Sequence, residues 1–521
     1  MTDQASPRQP FLSPWLWVLL GASLALRVTL ALHGGQRYSG DELRYDRGPI
    51  LLNALWNGEW DWVQAVVKEP VHAGFSYVAL LVAPFHHALA TLLGFGDWSH
   101  PENIQASLSM AAIVMGLFST LNLWLVYQLS LRSGASRSEA GFVMLFAAAA
   151  NSLFYYSRHL VPYDSSLTLA LCGLIFSVSG TTRFRQFLAG SCAALSFQIY
   201  NGYWFLVPVL GLTLLFSQSG WSARFRVGCI WILGAVGTTL LVISPGIIIS
   251  GRDFWLQSAK FSHSVTQGLF AEGWSLPWAY LWAAEGWLGV GLAIILIAVS
   301  IRDLFNGTLP RRIVLWAGVA GAIYTLLVVT SVGLEKFVVY ARSTRPLVPC
   351  LCLVAGYAVN RLLTPHPRWR PAVVVAVIVA ASANFAPNFV LIYPPDIKST
   401  ILKNFGSPKQ TISFTGSYYF DPVQKVTRPD LVLLNAQGLY PLKDYIEDPK
   451  GKVLFSAPHP LQFVPYQYDG YTPRERRLMK EHPPFIKLIK LDDPNSMPNN
   501  PPVSGFLGIP EIANGRDQGR K

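Results

Sequence analysis

Charged residues are scarce in this sequence of 521 residues: they make up 13% of it, whereas hydrophobic residues make up 51%. An ordinary soluble domain has about 25% charged residues, so this composition excludes a typical soluble globular protein. Apolar runs of about 18 residues or more, the length that crosses a hydrocarbon core of roughly 30 Å, recur between Trp15 and Tyr393. The composition therefore indicates a polytopic membrane protein.

Cysteine is also rare, and all five cysteines lie in or beside apolar segments, which excludes a disulfide framework and a zinc site. The N-terminus lacks a small-residue cleavage site and has one early arginine, Arg8, so we expect an uncleaved first transmembrane helix. The net charge of +12 does not indicate a nucleic-acid partner, because the basic residues lie mostly in short loops between apolar runs.

The sequence predicts a mainly α membrane domain over residues 1–393 and a soluble α/β or α+β domain over residues 394–521. The C-terminal part is rich in Lys, Asp, Pro and Asn and has no spanning run. About eleven transmembrane helices are expected in the first part, at residues 14–32, 104–129, 140–157, 165–180, 187–199, 203–216, 227–250, 277–300, 313–332, 346–363 and 371–393.

Loop charge predicts the sidedness of these helices. If residues 75–93 do not cross the membrane, every second loop lies on the N-terminal side, and these loops carry most of the loop arginines, from Arg132 to Arg370. This pattern agrees with the positive-inside rule. We therefore expect residues 75–93 to form a re-entrant or membrane-surface helix, with His86 and His87 at the interface.

The same topology places several polar segments on the outer face, together with the C-terminal domain. These segments are "RYSGDELRYDRG", "SRHLVPYD", the loop that contains Lys260 and His263, and "EKFVVYARSTR". The first outer loop continues into "RGPILLNALWNGEWDWVQAVV", whose apolar residues recur at helical spacing and predict a helix lying at the membrane surface. A site at the boundary of lipid and water is expected on this face.

These motifs, in this order, resemble those of the GT-C glycosyltransferases. The ordered set is "GDELRYDRG", "NGEWDW", "EPVHAGFSYVALLVAPFHHALATLLG", "SRHLVPYDSSLTLALC" and "VVYARSTRPLVPCLCLVAG". The resemblance covers residues 15–363 and is to protein O-mannosyltransferases and the bacterial aminoarabinose transferases that modify lipid A. It implies inverting transfer of a sugar from a polyprenyl-phosphate carrier to a hydroxyl on a lipid, glycan or protein, at the periplasmic face of a bacterial inner membrane. Membrane lipids are also expected to contact the protein.

The resemblance implies roles for three acids. Asp41 matches the first acid of the family's acidic pair and would be the general base, since an attacking hydroxyl needs a carboxylate within hydrogen-bonding reach. Glu42 would orient a helix or a metal ion, and Asp164 matches the second acidic position. A solvated loop for the pair, and a dipole-stabilising helix terminus for Asp164, are the alternative interpretations.

A departing lipid phosphate needs cations. Arg342 and Arg345 are spaced so that both could bind one phosphate, with Lys336 and Tyr340 nearby, and Arg158 is a further candidate. Anchoring at the membrane boundary is the alternative for these arginines. Lys260 and His263 would line an acceptor entrance or simply face solvent. Some relatives use a divalent metal cation and others do not, so a metal cofactor stays open.

Two other functions fit parts of the pattern. A flippase or transporter would bury charges within its spans and show repeated halves, and the sequence shows few such charges and no clear repeat. An O-antigen-type ligase or polymerase would also use a polyprenyl carrier, but it usually has a large, arginine-rich central outer loop. Lys68 and His72, in "KEPVHAGF", are assigned no role.

Overall fold

The computed structural model describes residues 14–34, 36, 40–96, 98, 101–179, 182–265, 274–334, 341–385, 404, 411–415, 419–420, 431–436, 451–458 and 485–493. Up to residue 385 the described structure is helical. The helices are α1 (Pro14–Leu32), α2 (Arg47–Asn57), α3 (Trp60–Val67), α4 (Ala73–Leu92), α5 (Pro101–Ala106), α6 (Leu108–Arg132), α7 (Arg137–Ala149), α8 (Asn151–Phe154), α9 (Tyr163–Val178), α10 (Arg183–Ile199), α11 (Leu206–Phe216), α12 (Trp221–Ser250), α13 (Arg252–Val265), α14 (Leu276–Phe305), α15 (Arg311–Val328), α16 (Ala341–Thr344), α17 (Leu347–Leu363) and α18 (Arg370–Phe385).

Short segments of other helical types join some of these helices. They are the 3₁₀ segments Gly40–Asp46, Tyr155–Arg158, Asn201–Tyr203 and Pro367–Trp369 and the π-helical turn Val329–Gly333. The predicted surface helix of the first outer loop is present as two helices, α2 and α3. They are separated at Gly58, which adopts the left-handed conformation that favours glycine and ends α2.

In the part of the chain that the structure describes, six helices are long and apolar enough to cross a membrane, and counting α7 and the bent segment after it as one span gives seven. The six are Pro14–Leu32, Ala73–Leu92, Leu108–Arg132, Trp221–Ser250, Ala284–Phe305 and Arg311–Gly333. The expected count of eleven is therefore not confirmed. Several predicted spans are short because polar segments such as "YNGYW" end them: α11 has 11 residues, and α9 has 16. A span needs about 20 residues.

Residues 75–93 correspond to α4, which meets the length and hydropathy of a span. Its placement at the membrane surface stays a prediction. The expectation that both adjacent histidines are interfacial is wrong for His86, which is fully buried. Its ring lies against Trp98 and hydrogen-bonds Tyr45 and Ser107, whereas the sequence showed only a polar pair on an apolar helix.

Local signals explain where key helices begin and how they pack. Ser136 accepts a hydrogen bond from the backbone N–H of Glu139 and thereby caps the N-terminus of α7. Glycines permit the close contact of α10 and α12, because a Cβ atom on Gly190 would lie 2.0 Å from the Trp231 carbonyl oxygen. Such small-residue contacts are typical of membrane helices.

The largest apolar core lies among α1, α6, α7, α9, α11, α15 and α17. By contrast, α12 and α14 are mostly exposed. Of the residues in the most apolar stretch of each helix, only 22% in α12 and 11% in α14 are buried. Large exposed apolar side chains on these two helices include Leu241, Ile248 and Trp287. These surfaces are suited to contact with lipid.

The described part of the C-terminal region contains five strands in one mixed sheet. They are β1 (Thr411–Thr415), β2 (Tyr419–Phe420), β3 (Leu431–Ala436), β4 (Gly451–Pro458) and β5 (Phe485–Leu491), in the spatial order β2-β1-β3-β5-β4. β1 and β3 are parallel, with Phe414 opposite Leu434, and the other pairs are antiparallel. A separate soluble domain over residues 394–521 stays a prediction.

Candidate active site

The site is built around a break in an apolar helix. After α7, the chain turns by 67° and continues as α8 and the 3₁₀ segment Tyr155–Arg158. The break lies at Ala150, which has an extended conformation. A break leaves backbone N–H and C=O groups without helical partners, and in an apolar environment these groups must be satisfied by other parts of the protein.

Glu285 of α14 satisfies the N–H groups at the start of α8. Its carboxylate accepts hydrogen bonds from the backbone N–H groups of Asn151 and Ser152, both at 3.0 Å, and from the Ser152 hydroxyl at 2.5 Å. A negative charge at the first turn of a helix is favourable because the helix dipole is positive there. Glu285 thus fixes the direction of the chain after the break.

Arg345 satisfies the carbonyl groups freed at the same place. Its Nε donates to the Ser152 carbonyl at 3.0 Å, and its Nη2 donates to the Leu153 carbonyl at 3.3 Å and to the Asp164 carboxylate at 2.5 Å. The guanidinium group is fully buried and lies 4.9 Å from the centre of the Tyr156 ring. Burial alone would lower the pKa of Arg345, but the Asp164 carboxylate raises it above its usual value.

Asp164 lies in the first turn of α9, as its position after Pro162 suggested. The ion pair with Arg345 is buried, and breaking such a pair by removing one partner costs about 3–5 kcal/mol. This pair therefore ties the start of α9 to the segment before α17, which is 181 residues away in the sequence.

Arg342, one turn earlier, contacts the same region through tyrosines. Its Nη1 donates to the Tyr163 hydroxyl at 2.7 Å, and its carbonyl accepts a hydrogen bond from the Tyr203 hydroxyl. The Tyr163 ring makes edge contacts with Tyr156 and Tyr200, with ring centres 4.8 Å apart in both cases. The two arginines therefore lie beside one aromatic cluster.

Glu42 joins the first outer loop to this region. Its carboxylate is fully buried, accepts a hydrogen bond from the Leu160 backbone N–H at 2.9 Å and lies 3.3 Å from Nδ1 of His159. Neighbouring Arg158 is also buried, and its carbonyl accepts a hydrogen bond from Gln36. Glu42 thus connects the first outer loop to the segment that precedes α9.

His72, at the start of α4, is a further buried member of the region. It is the one non-glycine residue of the described structure with positive φ, at 55°. Its N–H donates to the Asn201 side chain, and its Nδ1 accepts from the Asn201 backbone N–H. Nδ1 therefore carries no proton, and the ring, stacked on Tyr200, is a donor through Nε2.

Arg47 attaches the segment before His72 to the first outer loop, because its Nη1 donates to the Val71 carbonyl at 2.9 Å. Burial lowers the pKa of the Arg47 guanidinium to about 10. Tyr45 donates to Nδ1 of His86 at 3.1 Å, and burial, reinforced by the charge of Asp46, raises the pKa of its hydroxyl well above the usual value. The loop that carries the acidic pair is therefore held by α4 as well as by Leu160.

The structure brings together five of the predicted site residues, which are Glu42, Arg158, Asp164, Arg342 and Arg345. Asp41 lies on the 3₁₀ segment Gly40–Asp46, but its side chain lies outside the described part of the structure, as do Lys336 and Tyr340. Lys260 and His263 are exposed on the helix α13, which packs on α12. Their assignment to an acceptor entrance stays a prediction.

Sequence reasoning missed two residues within apolar helices, the half-buried Glu285 and the buried Arg27, and assigned no role to His72. The isolated charge in each apolar run was the available signal. Among the described residues, no group of three or more His, Cys, Asp or Glu side chains is arranged to hold a metal ion. The question of a metal cofactor therefore stays open.

No family model and no curated protein matches the chain. Solved structures do match. ArnT from Cupriavidus metallidurans in the apo state is 17% identical with a TM-score of 0.46, covering 72% of this chain and 64% of that one. ArnT bound to undecaprenyl phosphate gives the same identity and TM-score, with 72% and 65% covered.

An oligosaccharyltransferase from Archaeoglobus fulgidus, tethered with an acceptor peptide, is 12% identical with a TM-score of 0.42, covering 74% of this chain and 55% of that one. This chain thus spans less than two thirds of the length of each of these proteins. They are GT-C glycosyltransferases, the kind of enzyme that the motifs of this sequence resemble. The likeness is partial, so the chemistry of the site is derived from its own residues.

Proposed function

We propose that this protein is an integral membrane glycosyltransferase that moves a sugar from a polyprenyl-phosphate carrier to a hydroxyl acceptor. The observation that carries the proposal is the contact of three distant segments, residues 40–47, 155–164 and 341–345, at the ends of apolar helices. Together they supply carboxylates and guanidinium groups to one place. Such a transfer needs both, a base for the acceptor and cations for the phosphate.

In the proposed reaction, the acceptor oxygen attacks the anomeric carbon from the face opposite the carrier. The bond between this carbon and the phosphate oxygen breaks, and the polyprenyl phosphate leaves with the electron pair. The hydroxyl proton passes to the Asp41 carboxylate, and the configuration of the sugar inverts. We propose that Arg342 and Arg345 stabilise the negative charge that grows on the phosphate, since guanidinium groups are suited to this anion.

Glu42 and Asp164 have structural duties in this scheme. Glu42 holds Leu160, and Asp164 holds Arg345, so each carboxylate already has a buried partner. This leaves Asp41, the first acid of the pair, as the proposed base. The site is proposed to face the periplasm of a bacterial inner membrane, and lipid, glycan and protein hydroxyls are all acceptors to be tested.

The test compares Asp41→Asn with wild type in purified, folded protein, using a panel of polyprenyl-phosphate sugars. We expect kcat to fall by about 10²- to 10⁴-fold, the usual contribution of a general base. Asp61→Asn is the matched control, because Asp61 is an exposed acid on α3 of the same loop, and we expect it to leave transfer unchanged. Undiminished transfer by Asp41→Asn would exclude Asp41 as the base.

A transporter is a second candidate because Arg27, which is buried, and Glu285, which is half-buried, are ionisable residues within apolar helices, a feature typical of transporters. Both residues, however, contact residues at the broken helix beside the proposed site. Proteoliposomes would separate the two functions. Movement of the carrier lipid across the bilayer without formation of a new glycosidic bond would favour the transporter.

A further inference from the structure

Arg27 is a buried arginine in the first membrane helix, and the proposed reaction has so far given it no role. It lies near the C-terminal end of α1 and is 2% exposed. Its Nε donates to the Ser119 hydroxyl at 2.9 Å, its Nη1 donates to the Ser23 carbonyl, and its guanidinium lies 4.6 Å from the centre of the Phe154 ring. Among the described residues, its Nη2 has no hydrogen-bond acceptor.

Arg345 also has a buried N–H group that is not hydrogen-bonded within the described part of the chain. Its Nε and Nη2 bind the broken helix and Asp164, but its buried Nη1 has no acceptor in the residue ranges that the structure describes. The two arginines are connected through the Leu153 carbonyl. Arg345 donates to this carbonyl at 3.3 Å, and Ser119, which binds Arg27, donates to it at 3.4 Å. Buried donors without an acceptor are rare in folded proteins, because each has lost its hydrogen bonds to water without gaining another.

The charges around these two arginines are also unbalanced. Among the described residues, Asp164 is the carboxylate whose charge acts on both Arg27 and Arg345. Two guanidinium groups against one carboxylate leave one positive charge in a buried place. Glu285 bonds the N–H side of Ser152 and is not among the charges that act on either arginine. Buried charge is favourable only when it is compensated.

We propose that Arg27 and Arg345 together bind the phosphate of the carrier lipid, with Arg27 reaching it from within the first membrane helix. This inference rests on the proposed function. A sugar-linked carrier is a phosphodiester with one negative charge, which would compensate the one excess positive charge. Its oxygens are acceptors for the two unsatisfied N–H groups, and the planar guanidinium group is well suited to phosphate.

The pair also explains why the phosphate would be a good leaving group in this site. When the bond to the sugar breaks, the phosphodiester becomes a phosphate monoester, whose charge near pH 7 is about −1.5 to −2. Two buried guanidinium groups therefore bind the departing phosphate more strongly than the donor. Interactions that grow towards the transition state raise kcat rather than lower KM.

The experiment measures the binding of two lipids to the full-length protein in nanodiscs: a polyprenyl phosphate and the polyprenol of the same chain length. We expect Arg27→Met to weaken the binding of the phosphate lipid by about ten- to a hundredfold, the loss of one charge-assisted hydrogen bond. Its affinity for the polyprenol should not change. Arg27→Lys, which keeps the charge but loses the fork, should lie between wild type and Arg27→Met.

Arg224→Met is the matched control. Arg224 also combines aromatic contacts, with Trp221 and Phe216, and a hydrogen bond to a backbone carbonyl, that of Gln218. It lies on the predicted inner side, so its loss should leave both affinities unchanged. If Arg27→Met fails to fold, Arg27→Lys and Ser119→Ala provide the test, because Ser119→Ala keeps the arginine and removes the hydroxyl that binds its Nε, together with the hydrogen bond from Ser119 to the Leu153 carbonyl.

Wild-type affinity for the phosphate lipid in folded Arg27 variants would overturn the inference. Equal weakening for both lipids would also overturn it, since the arginine would then act on the fold and not on the phosphate. The outcome is separable from that of the proposed function. If Arg27 is needed for phosphate binding but no sugar is transferred from any donor, the glycosyltransferase proposal fails alone; if transfer occurs and Arg27 is dispensable, only the inference fails.

Discussion

Substitutions of Glu42 separate its structural role from a role in catalysis. In Glu42→Gln the amide oxygen can still accept the hydrogen bond from the Leu160 N–H, which spans 2.9 Å in the wild type. Only the charge is lost, and a hydrogen bond to a charged group contributes about 1.5–3 kcal/mol, against about 0.5–1.5 kcal/mol for a neutral one. We therefore expect Glu42→Gln to lower the free energy of unfolding by about 1 kcal/mol.

Glu42→Ala removes both the charge and the acceptor. The Leu160 N–H is then left buried without its partner, which costs about 1–3 kcal/mol, and the contact with His159 is lost as well. We expect a loss of about 2–4 kcal/mol and a displaced "RHLV" segment. The two variants should therefore differ in stability by more than 1 kcal/mol, in an order fixed by the hydrogen bond.

Denaturant unfolding in detergent and transfer kinetics on the same preparations provide the test. If Glu42 orients the segment, kcat should follow the stability order, with Glu42→Gln within about tenfold of wild type and Glu42→Ala much lower. If Glu42→Gln is as inactive as Asp41→Asn while it remains fully folded, the structural role is refuted. Glu42 would then act in the chemical step.

Two further predictions concern contacts on opposite predicted faces. Tyr45→Phe should lower the free energy of unfolding by about 1 kcal/mol and kcat severalfold, because the loop with the acidic pair loses its hydrogen bond to His86. Tyr77→Phe is the control: it loses a 3.4 Å hydrogen bond to the Val242 carbonyl and should change kcat little. Because burial raises the pKa of Tyr45, wild type should also lose stability as the pH rises above the ordinary value near 10, and Tyr45→Phe should lack that component in unfolding measured against pH. Glu139 forms a bidentate pair with Arg312 on the predicted inner side. We expect Glu139→Gln to lower the free energy of unfolding by about 1–3 kcal/mol, measured with denaturant, and to leave kcat of the folded protein unchanged. A fall in kcat would contradict this separation of the two faces.

Much of the helical scaffold could be predicted from the sequence, because an apolar run or an N-cap serine such as Ser136 is recognised from neighbouring residues alone. The grouping of Glu42, Asp164 and Arg345 could be expected as well, since their segments share one predicted face. The break at Ala150 could not, because neither proline nor glycine marks it. The break depends on Glu285, which lies 134 residues after Asn151, the residue whose N–H donates to it.

The roles of the buried Arg27 and the half-buried Glu285 were missed for a related reason. A charged residue in an apolar run can be seen in the sequence. Its partners come from distant helices, however, and no local pattern predicts them. His72 is similar, since its left-handed backbone is stabilised by Asn201, 129 residues away. Long-range polar contacts, rather than apolar periodicity, therefore decide the shape of this site.

The broken helix has a consequence for how the chain is assembled in the membrane. Its free N–H groups are satisfied by Glu285 and its free carbonyls by Arg345, and both residues are synthesised well after residue 150. Unsatisfied peptide groups cannot rest in lipid. The first half of the protein must therefore keep residues 150–158 in contact with water or with the insertion machinery until the later helices arrive, which makes membrane insertion of this chain non-sequential.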